Sequence, residues 1–283
     1  MESLKTNKKD YEKTTWRLIK HQPAYGAWNM AVDEAILESV YSGDSLPTLR
    51  LYAWQPGCLS LGYAQSFSEV DTDALKTYGW DVVRRPTGGR AILHIDELTY
   101  SVIAPEREPR VKGGVMESYL QLSRALMRSL QLLGLEPQAK EKETTKHKDK
   151  PNPVCFEVPS NYEITVNGKK LVGSAQARRK EGVLQHGALP LFGDLTRIIT
   201  ALRFPDQAVQ ESAKDRLLSH ATTVEIVLGK VITWDQASEA FQQGFEETLN
   251  LILEENDITE KERLRAQELI EEKYNHPSWT QRI

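Results

Sequence analysis

The chain has 283 residues, of which 40% are hydrophobic and 27% are charged, as in ordinary globular proteins rather than disordered ones. It contains no apolar run that approaches the roughly 18 residues of a membrane span, and residues 1–13 lack the apolar core of a secretory signal. The formal net charge of -4 argues against bulk attraction to nucleic acid. We therefore expect a cytoplasmic protein with neither a membrane nor a nucleic acid as partner.

The first third of the chain is predicted to alternate between strands and helices. Apolar residues from Trp28 to Val40 recur on one face of a helix, which Gly43 is placed to end. The other predicted elements are a strand over 14–20, strands over 49–53 and 58–64, a helix over 68–78, a strand over 80–85, a glycine-bearing loop over 86–90 and a strand over 98–104. Because Gln55-Pro56-Gly57 separates the second and third strands, we predict that they form a hairpin.

The middle of the chain contains one long helix and one segment without apolar residues. Residues 114–133 place apolar side chains on one helical face, and Gly134 follows as a stop. Residues 140–150 combine lysines and acids with nothing to bury, which is typical of a solvated loop. This loop precedes Cys155.

The second half of the chain contains the strongest local signal. Asn167-Gly168 separates strand-like residues 162–166 from 170–177, which favours a type I′ hairpin, and a third strand is predicted over 183–191. Thr233 and Thr259 are each followed three residues later by Gln or Glu, as in capping boxes that begin helices. The order of elements predicts an α+β fold, with largely antiparallel sheets flanked by helices. We expect a tail over 1–13, a catalytic domain over 14–250 and a small helical extension over 251–283.

Only two cysteines occur, Cys58 and Cys155, and neither has His or Cys at zinc-ligand spacing. We therefore expect no metal site and no cofactor. Cys58 lies in an apolar strand without a basic neighbour and is interpreted as a small buried hydrophobic residue. Cys155 is the candidate catalytic cysteine, because it lies in one of three sequence segments that together resemble a known family.

Three segments together resemble one family. They are Arg84-Arg85-Pro86-Thr87-Gly88-Gly89-Arg90-Ala91-Ile92-Leu93-His94, then Val154-Cys155-Phe156, then Lys170-Leu171-Val172-Gly173-Ser174-Ala175-Gln176. In this order they resemble the biotin and lipoate protein ligase/transferase superfamily, and within it the LipM type of octanoyltransferase. The resemblance extends from about residue 15 to Trp279. It implies the catalytic fold of that superfamily, and transfer of an octanoyl group from acyl carrier protein to a lysine of the glycine cleavage H protein or another lipoyl domain.

The resemblance implies that Cys155 forms an acyl thioester and that Lys170 lowers the pKa of its thiol. A thiol with a pKa near 8.5 is only about 3% thiolate at pH 7, whereas a pKa of roughly 7 gives about half. Lys170 follows Cys155 in sequence across the first strand of the hairpin, which makes their proximity a reasonable expectation. The lysine is also placed to accept a proton from the acceptor amine in a second half-reaction.

The remaining predicted site residues are expected to bind substrate. Gly88 and Gly89 permit close approach of backbone amides to a ligand, and Arg84 and Arg85 add positive charge. His94 is predicted to pack near this site, with a core histidine as the alternative. Three small residues complete the set and are placed to leave room for an acyl chain and to offer an oxyanion hole, with a tightly packed strand as the alternative: Gly173, Ser174 and Ala175.

Several other functions stay open at this level. An ATP-dependent lipoate protein ligase has the same fold, although Arg90 occupies a position where ligases of this superfamily usually have a glycine. An amidotransferase between lipoyl domains would use the same cysteine with a different donor, and a carrier-binding module would form no covalent intermediate. A biotin ligase is disfavoured because its own signature is absent. The basic run at residues 178–180 has two interpretations, a surface that docks acidic carriers and a solvated hairpin end.

Overall fold

A computed structural model describes residues 11–141 and 162–283. In this part of the chain, an eight-stranded mixed sheet forms the centre of the fold. Its strands, in spatial order, are β11 (Leu251–Glu255), β1 (Thr14–Lys20), β2 (Thr48–Tyr52), β6 (Glu97–Ala104), β10 (Gly182–Pro190), β9 (Lys169–Arg179), β8 (Tyr162–Val166) and β7 (Gln138–Glu141). β1 pairs in parallel with β11 and with β2, and the other pairs are antiparallel.

A second, smaller sheet has the order β4 (Asp81–Arg84), β3 (Cys58–Leu61) and β5 (Ile92–His94). The predicted hairpin between residues 49–53 and 58–64 is therefore wrong, because β2 pairs with β1 and β6 while β3 pairs with β4 and β5. All five residues of β2 are buried, as expected of a central strand. The turn between the two strands passes the chain from one sheet to the other.

Helices cover both faces of the large sheet. The helices of the described residues are α1 (Gly26–Ser42), α2 (Thr72–Tyr78), α3 (Val115–Leu132), α4 (Arg197–Thr200), α5 (Gln207–His220), α6 (Val224–Leu228), α7 (Trp234–Leu249), α8 (Glu260–Leu269) and α9 (Pro277–Thr280). α3 and α7 pack on one face, where Tyr100 and Phe241 are buried. α1 and α8 pack on the other face, where Ile103 and Leu184 are buried. This arrangement confirms the α+β prediction.

Several local predictions are confirmed. Asn167 and Gly168 have φ of 51° and 79°, so both central residues of the hairpin turn are left-handed, as a type I′ turn requires. Capping boxes begin α7 at Thr233 and α8 at Thr259. Gly43, with φ of 83°, ends α1. The strands predicted over 14–20, 80–85, 98–104 and 183–191 match β1, β4, β6 and β10 to within one residue at either end.

Two predictions differ from the structure at their boundaries. The helix predicted over 68–78 is divided, because the Asp71 side chain accepts hydrogen bonds from the amides of Asp73 and Ala74 and begins α2 there. The helical prediction is also wrong for Leu251–Glu255, which form the edge strand β11 beside β1. Leu251 and Leu253 are buried there and their neighbours are exposed, which is the alternation of a strand. Within the described ranges, no helix is long and apolar enough to cross a membrane.

A buried ionic network joins α1 to the large sheet. Arg50 and Asp33 have fully buried side chains, with 2.8 Å between Arg50 Nη1 and Asp33 Oδ1. Asp33 Oδ2 accepts hydrogen bonds from Tyr52 Oη at 3.1 Å and Ser101 Oγ at 2.6 Å. Arg50 Nη2 donates to Asn29 Oδ1 at 2.7 Å. Because each charged atom has partners, the network avoids the large desolvation penalty of an unpaired buried charge.

His21 extends this network and holds one tautomer. Its Nδ1 accepts from Arg50 Nε at 3.0 Å, so the proton of the neutral ring is on Nε2, which lies 3.0 Å from Asp257 Oδ1. Burial and then the charge of Arg50 lower the pKa of His21 to about 4. Protonation of Nδ1 would replace the hydrogen bond to Arg50 with a repulsion.

We expect His21 to make the stability pH-dependent. Since its folded-state pKa is about 4 and the unfolded value is 6.5, its contribution is present above pH 6.5 and is lost as the pH falls toward 4. The free energy of unfolding is expected to fall by roughly 2–3 kcal/mol over this window from His21 alone. Urea denaturation of the wild type and of His21→Gln between pH 7 and 4 measures this difference. Equal pH dependence in the two proteins would contradict the assignment.

Candidate active site

A cavity lies between the small sheet and the α1 face of the large sheet. Met30 and Ile92 contribute apolar surface to its wall. Most of the residues predicted to bind substrate line it, although they come from distant parts of the chain: Arg85, Gly89, His94, Gly173, Ser174 and Ala175. Gly88 lies instead in an adjoining groove, of which Gly89 is also part. The fold therefore gathers the glycine loop and strand β9 around one space.

Arg85 fixes the glycine loop to the small sheet. Its guanidinium donates to the carbonyl oxygens of Ser60 at 3.0 Å, Gly88 at 2.9 Å and Arg90 at 2.7 Å. It also donates to Ser60 Oγ at 3.1 Å. Arg85 therefore contributes to the cavity both as part of its wall and as the residue that holds the loop in place.

Arg84 does not line the cavity. Its fully buried guanidinium donates to the carbonyl oxygens of Gly62 at 2.8 Å, Gln65 at 2.6 Å and Thr280 at 2.9 Å. It thereby ties the loop after β3 to the C-terminal helix α9. These hydrogen bonds give Arg84 a structural role, and its predicted contact with substrate stays a prediction.

His94 belongs to a directed chain of hydrogen bonds. Its Nδ1 is 2.7 Å from Glu97 Oε1, and its Nε2 is 2.7 Å from Ser60 Oγ. Because a carboxylate only accepts, Nδ1 carries a proton, and in the neutral ring Nε2 accepts from the Ser60 hydroxyl. Glu97 also accepts from the hydroxyl of Thr99. The indole ring of Trp54 stacks on the imidazole at 4.1 Å between centroids.

Glu97 is expected to contribute to stability through this chain. In Glu97→Ala, the Nδ1–H group of His94 and the hydroxyl of Thr99 lose their acceptor in a buried site, and the free energy of unfolding should fall by about 2 kcal/mol. Urea denaturation measures the change. Glu106→Ala is the control, since Glu106 is exposed and 3.5 Å from Arg178, and its effect should stay within about 0.5 kcal/mol. Similar values for both variants would contradict this account.

A second histidine, His186 on β10, also lines the cavity. Its Nε2 is 2.6 Å from Thr87 Oγ1, and its Nδ1 is 3.7 Å from Asp33 Oδ2. Burial lowers the pKa of His186 below its ordinary value, although Asp33 opposes this shift. His186 therefore links the glycine loop to the buried network of Asp33. Sequence reasoning missed it, together with Ser60, Thr87 and Glu97, because these residues come together only in the folded chain.

Strands β9 and β10 approach closely at the cavity. A Cβ atom on Gly187 would lie 2.5 Å from the carbonyl oxygen of Gly173 and 2.7 Å from Ser174 Oγ, so no side chain fits there. The hydroxyl of Ser174 lies 2.7 Å from Tyr100 Oη, on the α3 side of the sheet. Among the described residues, β8 pairs with β9 no further than Val172.

The structure describes one of the two predicted catalytic residues. Cys155 lies outside the described residues, so its distance to Lys170 stays a prediction. Lys170 is buried on β9, with its Nζ 3.3 Å from Glu163 Oε1. Cys58 is fully buried, and burial raises the pKa of its thiol well above its ordinary value, which confirms its interpretation as a core residue. Among the residues with described positions, no three His, Cys, Asp or Glu side chains are placed to hold a metal ion.

Two octanoyltransferases are similar to this chain in sequence over almost its whole length. The LipM octanoyltransferase of Anoxybacillus flavithermus is 40% identical over 273 residues, which cover 95% of this chain and 98% of that protein. The LipM octanoyltransferase of Kyrpidia tusciae is 41% identical over 272 residues, covering 95% of this chain and 99% of that protein.

Solved structures with a similar fold include lipoate protein ligases. A bi-partite lipoate protein ligase of Thermoplasma acidophilum, solved in a study that includes its E2 lipoyl domain, has a TM-score of 0.77 at 29% identity, over 95% of this chain and 96% of that chain. A lipoate-protein ligase A bound with ATP has a TM-score of 0.75 at 29% identity, over 94% of this chain and 98% of that chain. The family model described as the lipoyl protein ligase A/B catalytic domain matches residues 26–246. With most of its length inside that match, this chain belongs to the lipoyl protein ligase A/B catalytic domain family.

Proposed function

We propose that this protein is an acyltransferase of lipoate biosynthesis that moves an octanoyl group from octanoyl-acyl carrier protein to a lysine of a lipoyl carrier protein, the glycine cleavage H protein or another lipoyl domain. The observation that carries the proposal is identity near 40% to LipM octanoyltransferases over almost the whole chain. The cavity supports it, because apolar and small residues form its wall beside the glycine loop.

The proposed reaction has two half-reactions. The Cys155 thiolate attacks the thioester carbonyl of the donor, the bond from the acyl group to the carrier sulfur breaks, and the carrier sulfur leaves and takes a proton from the Lys170 ammonium. The acceptor amine then attacks the new thioester and gives a proton to Lys170, an amide forms, and the sulfur of Cys155 leaves as a thiolate. The donor is already a thioester, so the first step is nearly thermoneutral and needs no ATP.

We assign two roles to Lys170 in this scheme. Its ammonium favours the thiolate form of Cys155 by lowering the pKa of the thiol, and its amine form accepts the proton released by the acceptor lysine. The burial of Lys170 supports these roles, because a charge in a water-poor site acts more strongly on a neighbour than an exposed one. Glu163, 3.3 Å from Lys170 Nζ, keeps the ammonium paired between turnovers.

The test is intact-mass measurement after incubation with octanoyl-acyl carrier protein. The wild type should gain one octanoyl group without ATP, Cys155→Ala should gain none, and Cys58→Ala should react as the wild type does. Addition of a lipoyl domain should then discharge the adduct. An adduct that persists in Cys155→Ala would refute the assigned nucleophile.

The same measurement separates the other candidate functions. The solved relatives with similar folds include a ligase bound with ATP, so a ligase activity is tested with free octanoate or lipoate and ATP. Acylation of a lipoyl domain that requires ATP and leaves Cys155 unmodified would favour the ligase. An adduct formed from an octanoylated lipoyl domain and not from the acyl carrier protein would favour an amidotransferase.

A further inference from the structure

A basic groove adjoins the acyl cavity. Arg178 and Arg179 at the end of β9, together with Lys273 near the C-terminus, line one side of it. The other side is the glycine loop, with Gly88 and Gly89. Gly89 is part of the wall of both spaces, so the groove begins where the cavity ends. We call the space bounded by these five residues the basic groove.

Cations outnumber carboxylates around the basic groove. Glu34 is shared between two of them, with its carboxylate 2.6 Å from Lys273 Nζ and 3.6 Å from Arg179 Nη1. Arg178 lies 3.5 Å from the exposed carboxylate of Glu106, and its Nη2 also donates to the carbonyl oxygen of Val111. The chain as a whole has a formal charge of -4, so the local charge at the groove is opposite in sign to the net charge of the protein.

Aromatic rings hold the cations at the rim of the basic groove. Lys273 Nζ lies 4.4 Å from the ring centroid of Trp279. Arg282 lies 3.7 Å from the ring centroid of Tyr63, and its Nη2 donates to the carbonyl oxygen of Tyr63 at 2.8 Å. Trp279 and Tyr63 are themselves in contact, with 5.8 Å between ring centroids. Cations held in this way lose less conformational freedom when an anion binds.

We infer that the basic groove binds the phosphodiester of the prosthetic arm that carries the acyl group. This inference rests on the proposed function, since it assumes a thioester donor. The donor of such a reaction has an apolar chain at one end and a phosphate further along the arm. The cavity offers a mostly apolar wall to the chain, the adjoining groove offers arginine and lysine to the phosphate, and Gly89 lies between them. Arginine and lysine form short, charge-assisted hydrogen bonds with phosphate oxygens.

Substitutions of Glu34 and of Arg179 should change phosphate binding in opposite directions. The carboxylate of Glu34 competes with a bound phosphate for Arg179 and Lys273, so its neutralisation should strengthen phosphate binding. Glu34→Gln keeps the size of the side chain and an oxygen that accepts from Lys273 and from the hydroxyl of Tyr274. Arg179→Gln should act in the other direction. Arg179 is suited to substitution, because about a third of its side chain is exposed.

The test compares binding of 4′-phosphopantetheine and pantetheine, which differ only in the phosphate, by calorimetry. The wild type should bind the phosphorylated arm about tenfold more tightly. Arg179→Gln should remove most of this ratio, and Glu34→Gln should increase it severalfold. Arg128→Gln, which changes an arginine that pairs with Glu247 on α7, should leave the ratio unchanged. Equal binding of the two probes by the wild type, or an unchanged ratio in Arg179→Gln, would overturn the inference.

A second measurement separates this inference from the proposed function and identifies the source of the arm. Octanoyl-acyl carrier protein and octanoyl-coenzyme A carry the same phosphorylated arm, so Arg179→Gln should raise KM for both donors and leave kcat nearly unchanged. If the rate reaches saturation with octanoyl-acyl carrier protein and not with octanoyl-coenzyme A, the arm that binds in the groove is the one attached to a carrier protein. If no donor acylates any variant, the proposed function fails, whereas the binding ratio still decides the inference about the groove.

Discussion

Asp33→Ala is expected to lower the free energy of unfolding by about 3–5 kcal/mol, among the largest changes available to a single substitution in this chain. The substitution leaves the guanidinium of Arg50 buried without its carboxylate partner, 2.8 Å away in the wild type. It also removes the acceptor of Tyr52 and Ser101. Urea denaturation monitored by tryptophan fluorescence measures the change.

The control for Asp33 is an exposed ion pair on the same helix. Glu38 on α1 pairs with Arg265 at 2.7 Å, and about a third of each side chain is exposed. Glu38→Ala should cost less than about 1 kcal/mol. Similar changes in the free energy of unfolding for Asp33→Ala and Glu38→Ala would show that the buried network contributes no more to stability than an ion pair near the surface.

Gly62→Ala is expected to displace the glycine loop and to abolish most acyl transfer. A Cβ atom on Gly62 would lie 1.9 Å from the carbonyl oxygen of Gly89, a backbone atom that cannot move without the loop. Overpacking of this kind should cost about 3 kcal/mol of stability. The displaced loop includes Gly89, which lines both the cavity and the basic groove. Denaturation and the octanoyl adduct assay measure the two effects.

Gly88→Ala is the matched control in the same loop. A Cβ atom on Gly88 would meet no heavy atom within 4 Å, and its φ is not left-handed. Its stability should therefore stay within about 0.5 kcal/mol of the wild type. Any loss of acyl transfer in Gly88→Ala would then report contact with substrate. A loss of stability equal to that of Gly62→Ala would show that the loop is sensitive to any side chain.

Local signals in the sequence predicted local structure well. Asn167-Gly168 specified its turn because few residues tolerate two successive left-handed positions. Thr233 and Thr259 specified helix starts because each capping box is contained in four residues. Neither signal depends on distant parts of the chain.

Strand partners were harder to predict than strands. The turn signal at Gln55-Pro56-Gly57 indicates a change of direction and not which strand comes next in a sheet, so the hairpin prediction failed. The edge strand Leu251–Glu255 was missed because five residues give too short a pattern to distinguish it from the helices around it. Pairing with β1 supplies the stabilisation that the local sequence does not reveal.

In the candidate site, too, contiguous residues could be predicted from the sequence and contacts between distant residues could not. The glycine loop and β9 were recognised because their residues are contiguous, whereas Ser60, Glu97 and His186 belong to separate strands that only the fold brings together. Arg84 and Arg85 are adjacent and identical in type, and no sequence rule distinguishes them. Their different roles follow from the extended backbone at the end of β4, which directs one guanidinium toward α9 and the other toward the cavity.

The hydrogen bonds of the cavity wall have a consequence for what the cavity accepts. Both ring nitrogens of His94 already have partners, the indole N–H of Trp54 donates to Thr99, and the hydroxyl of Tyr52 donates to Asp33. A polar group placed against these side chains would lose water and meet polar atoms that are already satisfied. Under the proposed function, this part of the wall therefore favours a plain hydrocarbon tail.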